Sequence, residues 1–271
     1  HDIIDNRNER LVDQILAVLP QAKRAKFAVG YFFVSGFEAL RESLNDVEEL
    51  RLLIGNTSNR QTIEQLAEGH KRLELVKSAA ERIKLAKRRD RQARKGETAG
   101  NVRNTVGVMD QTDESQELIL SLKRMIENDR MKIRVYTKGR LHAKAYIFDY
   151  TNPNPGNEGI AIVGSSNLSL SGIQDNTELN VLVHDKGNPL KPGTGNHGKL
   201  TEWFEELWDE AEDFAPELMH ELNESWAVKP ATPYEVFMKT AYTLVQERLE
   251  GEQGDTILWD DAIMRDLADF Q

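Results

Sequence analysis

The sequence has no cysteine and no long apolar run. Without a thiol, the chain can form neither a disulfide framework nor a thiolate metal site. The longest clean apolar stretch, residues 27–34, is too short to span a bilayer, and no signal-peptide pattern opens the chain. These absences predict a soluble cytoplasmic protein without a membrane partner.

Charge is distributed unevenly along the chain. The 271 residues carry a formal net charge of -10, yet residues 201–271 hold 19 acidic and 4 basic residues, whereas residues 1–200 hold 26 acidic and 31 basic residues. Local asymmetry of this kind says more about partners than the total charge does. The basic first part is therefore compatible with a nucleic-acid partner, in spite of the acidic total.

Apolar spacing predicts an α/β domain. Helical spacing covers residues 8–19, 36–44 and 200–214, and short apolar runs predict strands at residues 26–30, 50–54 and 133–136. The β-α-β order of the first elements predicts parallel strands. Residues 60–130 predict a helical insertion, broken at residues 96–106, and the Pro-containing segment 229–233 predicts a boundary between a domain at 1–228 and a helical linker at 229–271.

Residues 141–180 contain the most informative pattern in the chain. Strict alternation over residues 141–148 predicts a strand with His142 and Lys144 side by side on one face. A second predicted strand, residues 160–163, leads into a small polar turn at residues 164–167, and a third strand follows at residues 177–183. If these strands are neighbours, an anion site with a titratable nucleophile forms at the end of the sheet from His142, Lys144, Ser165, Asn167 and Glu178.

This set resembles the HKD motif of the phospholipase D superfamily, in which H-x-K-x-x-x-x-D is followed by G-S-x-N. The matching positions are His142, Lys144, Asp149, Gly164, Ser165 and Asn167. Glu178, eleven residues after Asn167, fits the acidic residue that often follows in this superfamily. The fourteen residues 150–163 make the gap between the two halves longer than usual, and the turn-forming residues 152–156 predict a longer hairpin loop there.

The resemblance implies a phospholipase D-like mixed sheet flanked by helices, and a metal-independent phosphodiesterase without a cofactor. His142, held in one tautomer by a carboxylate such as Glu178, would attack phosphorus as a neutral imidazole and form a phosphohistidine. Lys144, Ser165 and Asn167 would neutralise the non-bridging oxygens. No metal-ligand pattern stands beside the predicted strand.

Other residues around the motif favour structural interpretations. Asp149, at the end of the motif strand, is interpreted as an anchor for the following turn. The triplets that begin at His184 and His197 are also H-x-K, but neither has an Asp five residues after its Lys and neither precedes G-S-x-N. Both triplets lie in the Gly/Pro-rich residues 185–199, which predict a loop, and are interpreted as chance matches.

The presence of a single complete motif in the chain leads to a prediction about its oligomeric state. Enzymes of the superfamily use two histidines, because an imidazole bonded to phosphorus cannot also protonate the leaving oxygen. The resemblance therefore predicts a homodimer in which His142 from both copies meets one phosphate on the twofold axis.

Two further features predict contacts with nucleic acid. Residues 82–95 hold eight basic residues and one acidic residue, and counterion release would let them bind a phosphate backbone without reading sequence. A solvated helix face is the alternative interpretation. Tyr31 and Phe32 are candidates for stacking on a base, with a place in the core as the alternative. The eight basic residues within residues 82–95, which we call the basic stripe, are Arg82, Lys84, Lys87, Arg88, Arg89, Arg91, Arg94 and Lys95.

The order of segments also resembles the N-terminal region of bacterial and archaeal Swi/Snf-type superfamily 2 helicases that carry a phospholipase D-like domain. The resembling segments are GYFFVSGF, the motif strand, WFEELW and TPYEVFMK. Residues 267–271 resemble the approach to the Q motif of such helicases, so we expect a fragment whose helicase motor follows. Nothing in the sequence is a Walker A loop, and this piece is not expected to hydrolyse ATP.

Three functions remain open at this point. The first is a nuclease or phosphodiesterase acting on nucleic acid, with DNA ahead of RNA. The second is a binding module that holds a backbone or strand end for a motor. The third, a phospholipase acting on lipids, is disfavoured because no membrane-directed amphipathic stretch appears and the tail is acidic. The complete set of nucleophile and anion-binding residues favours the enzyme.

Overall fold

A computed structural model describes residues 2–32, 34–44, 46–55, 91–109, 112–139, 141–174, 176–229, 232–234, 236–238 and 240–241. The chain forms two compact units, residues 1–228 and residues 229–271. All the strands and helices named below belong to the first unit. Within the described ranges, no helix is both long and apolar enough to cross a membrane.

The described residues of the first unit form one eight-stranded sheet in the order β1-β7-β6-β5-β2-β3-β4-β8. Strands β2, β3 and β4 run parallel to one another, and the other neighbouring pairs are antiparallel. The predicted α/β class with a mixed sheet is confirmed. The strands are β1 (Ile3–Ile4), β2 (Ala22–Val29), β3 (Glu49–Ile54), β4 (Met131–Val135), β5 (Lys144–Asn154), β6 (Asn157–Gly164), β7 (Asn180–His184) and β8 (Glu212–Asp213).

Helices cover both faces of the sheet. The opening helix buries Leu11, Ile15 and Val18, which recur at helical spacing. A single helix predicted at residues 36–44 is instead two short helices. The helices are α1 (Leu11–Val18), α2 (Val34–Glu38), α3 (Arg41–Leu44), α4 (Arg91–Val108), α5 (Asp113–Glu127), α6 (Leu170–Gln174), α7 (Asn196–Glu210) and α8 (Ala215–Glu224).

The first six residues of β5 are buried, and the side chains of residues 145–148 alternate between two apolar clusters. Tyr146 and Phe148 enter the larger cluster, where both contact Phe27 edge to face, at ring-centroid distances of 5.0 and 5.7 Å. Ala145 and Ile147 enter the smaller cluster beneath α7. The alternation predicted for this strand is thus confirmed, and the sheet is the middle layer of the unit.

Helix α4 runs through residues 96–106, where the sequence predicted a break. Ala99, Val102 and Val106 are buried in the larger cluster at helical spacing. Tertiary packing of this kind overrides the low helix propensity of the glycines and threonines around these residues.

Helix α7 begins at Asn196, although residues 185–199 predicted a loop. The backbone N–H of His197 donates to Oδ1 of Asp185 at 3.3 Å, which satisfies one of the unpaired donors at the start of the helix. Because this acceptor lies twelve residues away in sequence, no local capping pattern marks the start of the helix. The motif strand and the third strand also begin later than predicted, at Lys144 and at Asn180. The longer hairpin loop predicted within residues 150–163 is wrong, because the extra residues lengthen both strands: β5 continues to Asn154 and pairs there with Asn157 of β6.

Candidate active site

The predicted site residues lie at one end of the antiparallel strands β5, β6 and β7. The first residue of β5 pairs with the last of β6, Lys144 with Gly164, and Gly164 pairs in turn with Asn180 at the start of β7. Residues just outside these three strand ends are therefore close in space. The strands are neighbours, as the convergence of the predicted residues requires.

His142 and Lys144 are in direct contact in front of β5. Nζ of Lys144 lies 2.9 Å from Nδ1 of His142 and donates to the carbonyl oxygen of His142 at 2.9 Å. His142 is exposed, whereas Lys144 is buried. Burial lowers the pKa of Lys144, and the nearby negative charge of Glu178 opposes this shift without cancelling it. The site thus combines an accessible imidazole with a fixed cation.

Asn167 is buried and held by the backbone at the end of β2. Its Oδ1 accepts hydrogen bonds from the N–H of Gly30 at 2.9 Å and the N–H of Tyr31 at 3.3 Å. With the amide oxygen fixed, Nδ2 remains as a pair of donors for an anion. A Cβ at Gly30 would lie 3.0 Å from Oδ1 of Asn167 and 3.8 Å from Cε of Lys144. The absence of a side chain at Gly30 therefore lets the amide approach the lysine.

Ser165 and Glu178 form a second pair beside the first. The Ser165 hydroxyl donates to Oε2 of Glu178 and accepts from the N–H of Leu179 at 3.1 Å. Ser165 is exposed and Glu178 half-buried. In the described part of the chain, no hydrogen bond joins Glu178 to His142, so the carboxylate expected to orient the imidazole holds the serine instead.

A buried network supports the turn that carries Ser165 and Asn167. The Tyr146 hydroxyl donates to the Ser166 carbonyl oxygen at 2.9 Å, and the Asn180 side-chain amide donates to the Ser166 hydroxyl at 2.8 Å. Burial raises the pKa of Tyr146 far above its ordinary value, so this phenol remains a donor. Sequence reasoning missed Tyr146, Ser166, Asn180 and Gly30 as supports of the site, because their contacts depend on strand neighbours.

Asp149 lies away from this site. It is five residues from Lys144, about 17 Å along an extended strand. Its carboxylate contacts Nζ of Lys26 at 2.6 Å, Nε of Arg24 at 2.8 Å and Nε2 of His197 at 3.0 Å. Burial alone would raise the pKa of Asp149, but the hydrogen bond from His197 and the charge of Lys26 outweigh burial and hold the pKa well below its usual range. Asp149 therefore links β5 to β2 and α7, rather than anchoring the following turn.

Only some of the residues that were predicted to contact nucleic acid lie in the described part of the chain. Arg82, Lys84, Lys87, Arg88 and Arg89 lie outside them. Arg91, Arg94 and Lys95 are in the first turns of α4, and Nζ of Lys95 pairs with Oε1 of Glu217 at 2.8 Å. Tyr31 is half-buried, and its backbone N–H donates to the side-chain amide oxygen of Asn167. Phe32 lies in the larger apolar cluster, so the core interpretation holds for this residue.

Comparison with protein families identifies this architecture. The family model described as "Cardiolipin synthase, PLD-like domain" matches residues 19–208, which include His142, Lys144, Ser165, Asn167 and Glu178. A search of curated proteins by sequence gave no significant match.

Three solved structures are similar in fold. The first is a phospholipase D family member, Nuc from Salmonella typhimurium, with 12% identity and a TM-score of 0.41 over 78% of this chain and 95% of that chain. The second is NucT from Helicobacter pylori, with 13% identity and a TM-score of 0.38 over 78% of this chain and 97% of that chain. The third is the phosphatidylserine synthase of Haemophilus influenzae Rd KW20, with 13% identity and a TM-score of 0.44 over 91% of this chain and 45% of that chain. The family match covers most of the chain and agrees with the motif in the sequence. The chain belongs to the family of phospholipase D-like domains.

Proposed function

We propose that the chain is a metal-independent phosphodiesterase that cleaves nucleic acid, with DNA as the first substrate to test. The observation that carries this proposal is the contact between the exposed His142 imidazole and the buried Lys144 ammonium, beside the fixed amide of Asn167. A nucleophile, a cation and a neutral donor thus surround one space. This combination suits an anionic diester, whose negative charge must be neutralised before a nucleophile can reach phosphorus.

The reaction that we propose has two displacement steps. Nε2 of neutral His142 forms a bond to phosphorus while the bond from phosphorus to the leaving oxygen breaks, and that oxygen takes a proton from a second imidazole. Water then attacks the phosphohistidine, gives its proton to the second imidazole, and the phosphorus–nitrogen bond breaks. Lys144, Ser165 and Asn167 hold the non-bridging oxygens through both steps, so protein donors rather than a metal ion neutralise the charge.

The second imidazole comes, in this proposal, from His142 of another copy of the chain. An apolar strip of Ile3, Leu179 and Val181 supports this arrangement: the three side chains are 60%, 60% and 42% exposed. Ile3 pairs with Val181, and Leu179 directly follows Glu178 at the site. A twofold contact through this strip would cover it and bring the two sites together.

Incubation of the purified chain with single- and double-stranded DNA and RNA, each with and without EDTA, tests the proposal. We expect cleavage in EDTA, and a labelled phosphate on the protein when the reaction is quenched early in acid-free conditions. Strict dependence on added magnesium would contradict the mechanism. A phospholipid substrate belongs in the same assay, because the matching family model and one similar structure carry the names of lipid enzymes.

A non-catalytic binding module is the second candidate function. The contact of the Lys144 ammonium with Nδ1 favours it, because a neutral ring that accepts at Nδ1 carries its proton on Nε2 and has no free lone pair for attack. Binding of each nucleic acid without cleavage, in wild type and His142→Ala alike, would support this module over the enzyme.

A further inference from the structure

A second polar cluster lies at the opposite end of the catalytic strands. Its members are Glu158 near the start of β6, Asp185 just after β7 and His197 in the first turn of α7. One ring nitrogen of His197 and one carboxylate oxygen from each acid lie within 4.8 Å of one another. Glu158 is six residues from Gly164 on the same strand, so the cluster is about 20 Å from the catalytic end of the sheet.

His197 offers one free ring nitrogen to this cluster. The residue is only 5% exposed, and its Nε2 lies 3.0 Å from Oδ1 of Asp149. Asp149 is already paired with Lys26 and Arg24, so its carboxylate accepts and the Nε2 nitrogen donates. Nδ1 then carries the lone pair, and it is buried without a hydrogen-bond partner. A carboxylate that orients an imidazole in this way is the usual support of a histidine metal ligand.

The two acids are oriented but their charge is not balanced. Asp185 accepts from the backbone N–H of Glu158 at 3.0 Å and of His197 at 3.3 Å, and the Glu158 carboxylate accepts from the N–H of Gly193 at 3.1 Å. Among the residues that the structure describes, no lysine or arginine forms an ion pair with either acid. Each carboxylate oxygen keeps lone pairs for a further partner.

The chain that follows β7 closes over Asp185. A Cβ on Gly195 would overlap Oδ1 of Asp185, so the backbone of residue 195 packs directly against this carboxylate. Asp185 itself is 9% exposed. Two like charges held within 4.8 Å of one another, one of them on a buried side chain, are costly unless a cation neutralises them.

We propose that Glu158, Asp185 and His197 bind a divalent transition-metal ion, Zn²⁺ or Mn²⁺, through two carboxylate oxygens and Nδ1. Imidazole favours zinc and its neighbours over magnesium, carboxylate oxygens suit both proposed ions, and water can complete the coordination shell. The ion would cross-link the long β5–β6 hairpin to the end of β7 and the start of α7. Its role is structural, because the cluster is far from His142.

Titration of the EDTA-treated and dialysed chain with ZnCl₂, MnCl₂ and MgCl₂ tests this site by calorimetry and thermal unfolding. We expect one equivalent of Zn²⁺ or Mn²⁺ per chain and weaker binding of Mg²⁺. When the free concentration of the bound metal ion is about 100 times its dissociation constant, the unfolding temperature of the chain should rise by roughly 5–10 °C. Glu158→Gln and Asp185→Asn should each weaken binding at least about tenfold and remove most of this rise.

The variant His184→Asn is the matched control, since His184 is an exposed histidine that pairs with Asp2 at 3.1 Å just before Asp185. It should bind the metal as the wild type does. Glu158→Gln is the decisive variant if Asp185→Asn fails to fold, because Glu158 is only half-buried. The site would be overturned if Zn²⁺ and Mn²⁺ gave neither a heat of binding nor a thermal shift, or if wild type and Glu158→Gln bound these ions with equal affinity. Both outcomes are independent of whether the chain cleaves nucleic acid.

Discussion

The ammonium of Lys144 lies 2.9 Å from Nδ1 of His142 and donates to the carbonyl oxygen of the same residue at an equal distance. A phosphate offers this ammonium a charged acceptor, which it prefers to a neutral ring nitrogen. Movement of Nζ onto a phosphate oxygen would release Nδ1 to carry the ring proton and leave the lone pair on Nε2. In our proposal, substrate binding therefore also sets the tautomer of the nucleophile.

Replacement of His142 by Ala should lower the cleavage rate roughly 1,000-fold or more, since removal of an enzyme's nucleophile has effects of at least this size. Nucleic-acid binding should persist, because Lys144 and Asn167 remain. Cleavage and binding are measured on the same substrate at 25 °C in EDTA. His184→Ala serves as the control and should cleave normally; full activity in His142→Ala would exclude His142 as the nucleophile.

Gly30→Ala should impair the site without disturbing the fold. The new Cβ would lie 3.0 Å from Oδ1 of Asn167, so the amide must shift by a few tenths of an ångström. Small displacements at a reacting centre can cost up to about 100-fold in rate. We expect a reduced turnover with an unfolding temperature close to that of the wild type.

The matched control for this substitution is Gly100→Ala in α4, where nothing lies within 4 Å of the added Cβ. It should keep full activity and raise the free energy of unfolding by roughly 0.5–1 kcal/mol, through helix propensity. Equal activity in both variants would show that the position of the Asn167 amide does not matter.

Phosphate binding at this site should be lost at a lower pH than at a site with an ordinary lysine. Burial lowers the folded-state pKa of Lys144 below 10.5, and only the protonated side chain attracts the anion. Affinity is therefore full below the lowered pKa and is lost as pH rises through it. The same lowered pKa means that the buried ammonium destabilises the fold in full below the folded-state pKa, and this cost declines as the pH rises from the folded-state pKa to the ordinary value of 10.5.

Lys144→Arg tests this assignment, because a guanidinium stays protonated throughout the alkaline range. Binding of a non-hydrolysable oligonucleotide, measured by fluorescence anisotropy from pH 7 to 10.5, should hold to higher pH in the arginine variant than in the wild type. The same alkaline loss in both proteins would assign the titration to another group.

Leu179→Lys should weaken the proposed dimer. The substitution places a charge in the exposed strip of Ile3, Leu179 and Val181, which a second copy would cover. Analytical ultracentrifugation should give roughly twice the chain mass for the wild type and a shift toward monomer for the variant. Leu190→Lys, at a position that is 90% exposed, is the control and should remain dimeric.

Mixed dimers extend this test to the chemistry. Heterodimers of wild type with His142→Ala should be nearly inactive, since each contains only one of the two imidazoles that the reaction needs. A wild-type monomer that cleaves at the full rate would contradict the shared site.

The basic stripe should contribute affinity rather than chemistry. Replacement of Arg82, Lys84, Lys87 and Arg88 by Gln should weaken binding and reduce the slope of log affinity against log salt by about 0.7–0.9 for each phosphate that the variant no longer neutralises. Lys95 is excluded from this set because it pairs with Glu217. An unchanged salt slope would favour the alternative of a solvated helix face.

The sequence predicted the motif end of the sheet well because that information is local. Residues 145–148 form a continuous apolar run whose side chains alternate between two apolar clusters, and a short run of this kind is the signal of a strand buried on both faces. Strand order also followed, since β5, β6 and β7 are consecutive antiparallel neighbours.

The unpredicted features depend on partners that are distant in the chain. Asp149 and His197 are 48 residues apart, and Asn167 and Gly30 are 137 residues apart. No spacing rule identifies which of several histidines meets a given carboxylate, because the sheet and α7 together bring them into contact. The same reason explains the correction at α7, whose start depends on Asp185.

The regular pairing of β5 with β6 extends from Lys144 and Gly164 to Asp149 and Gly159 and becomes irregular only beyond that point. Residues 151–157 can therefore change in number without altering which side chains face each other at the end of the sheet that holds Lys144 and Gly164. The length of the β5–β6 hairpin can thus vary independently of the arrangement of the site residues at the other end of the strands. The long gap between the two halves of the motif is, in this sense, room for variation at the tip of the hairpin, and that tip is a suitable place to insert a label.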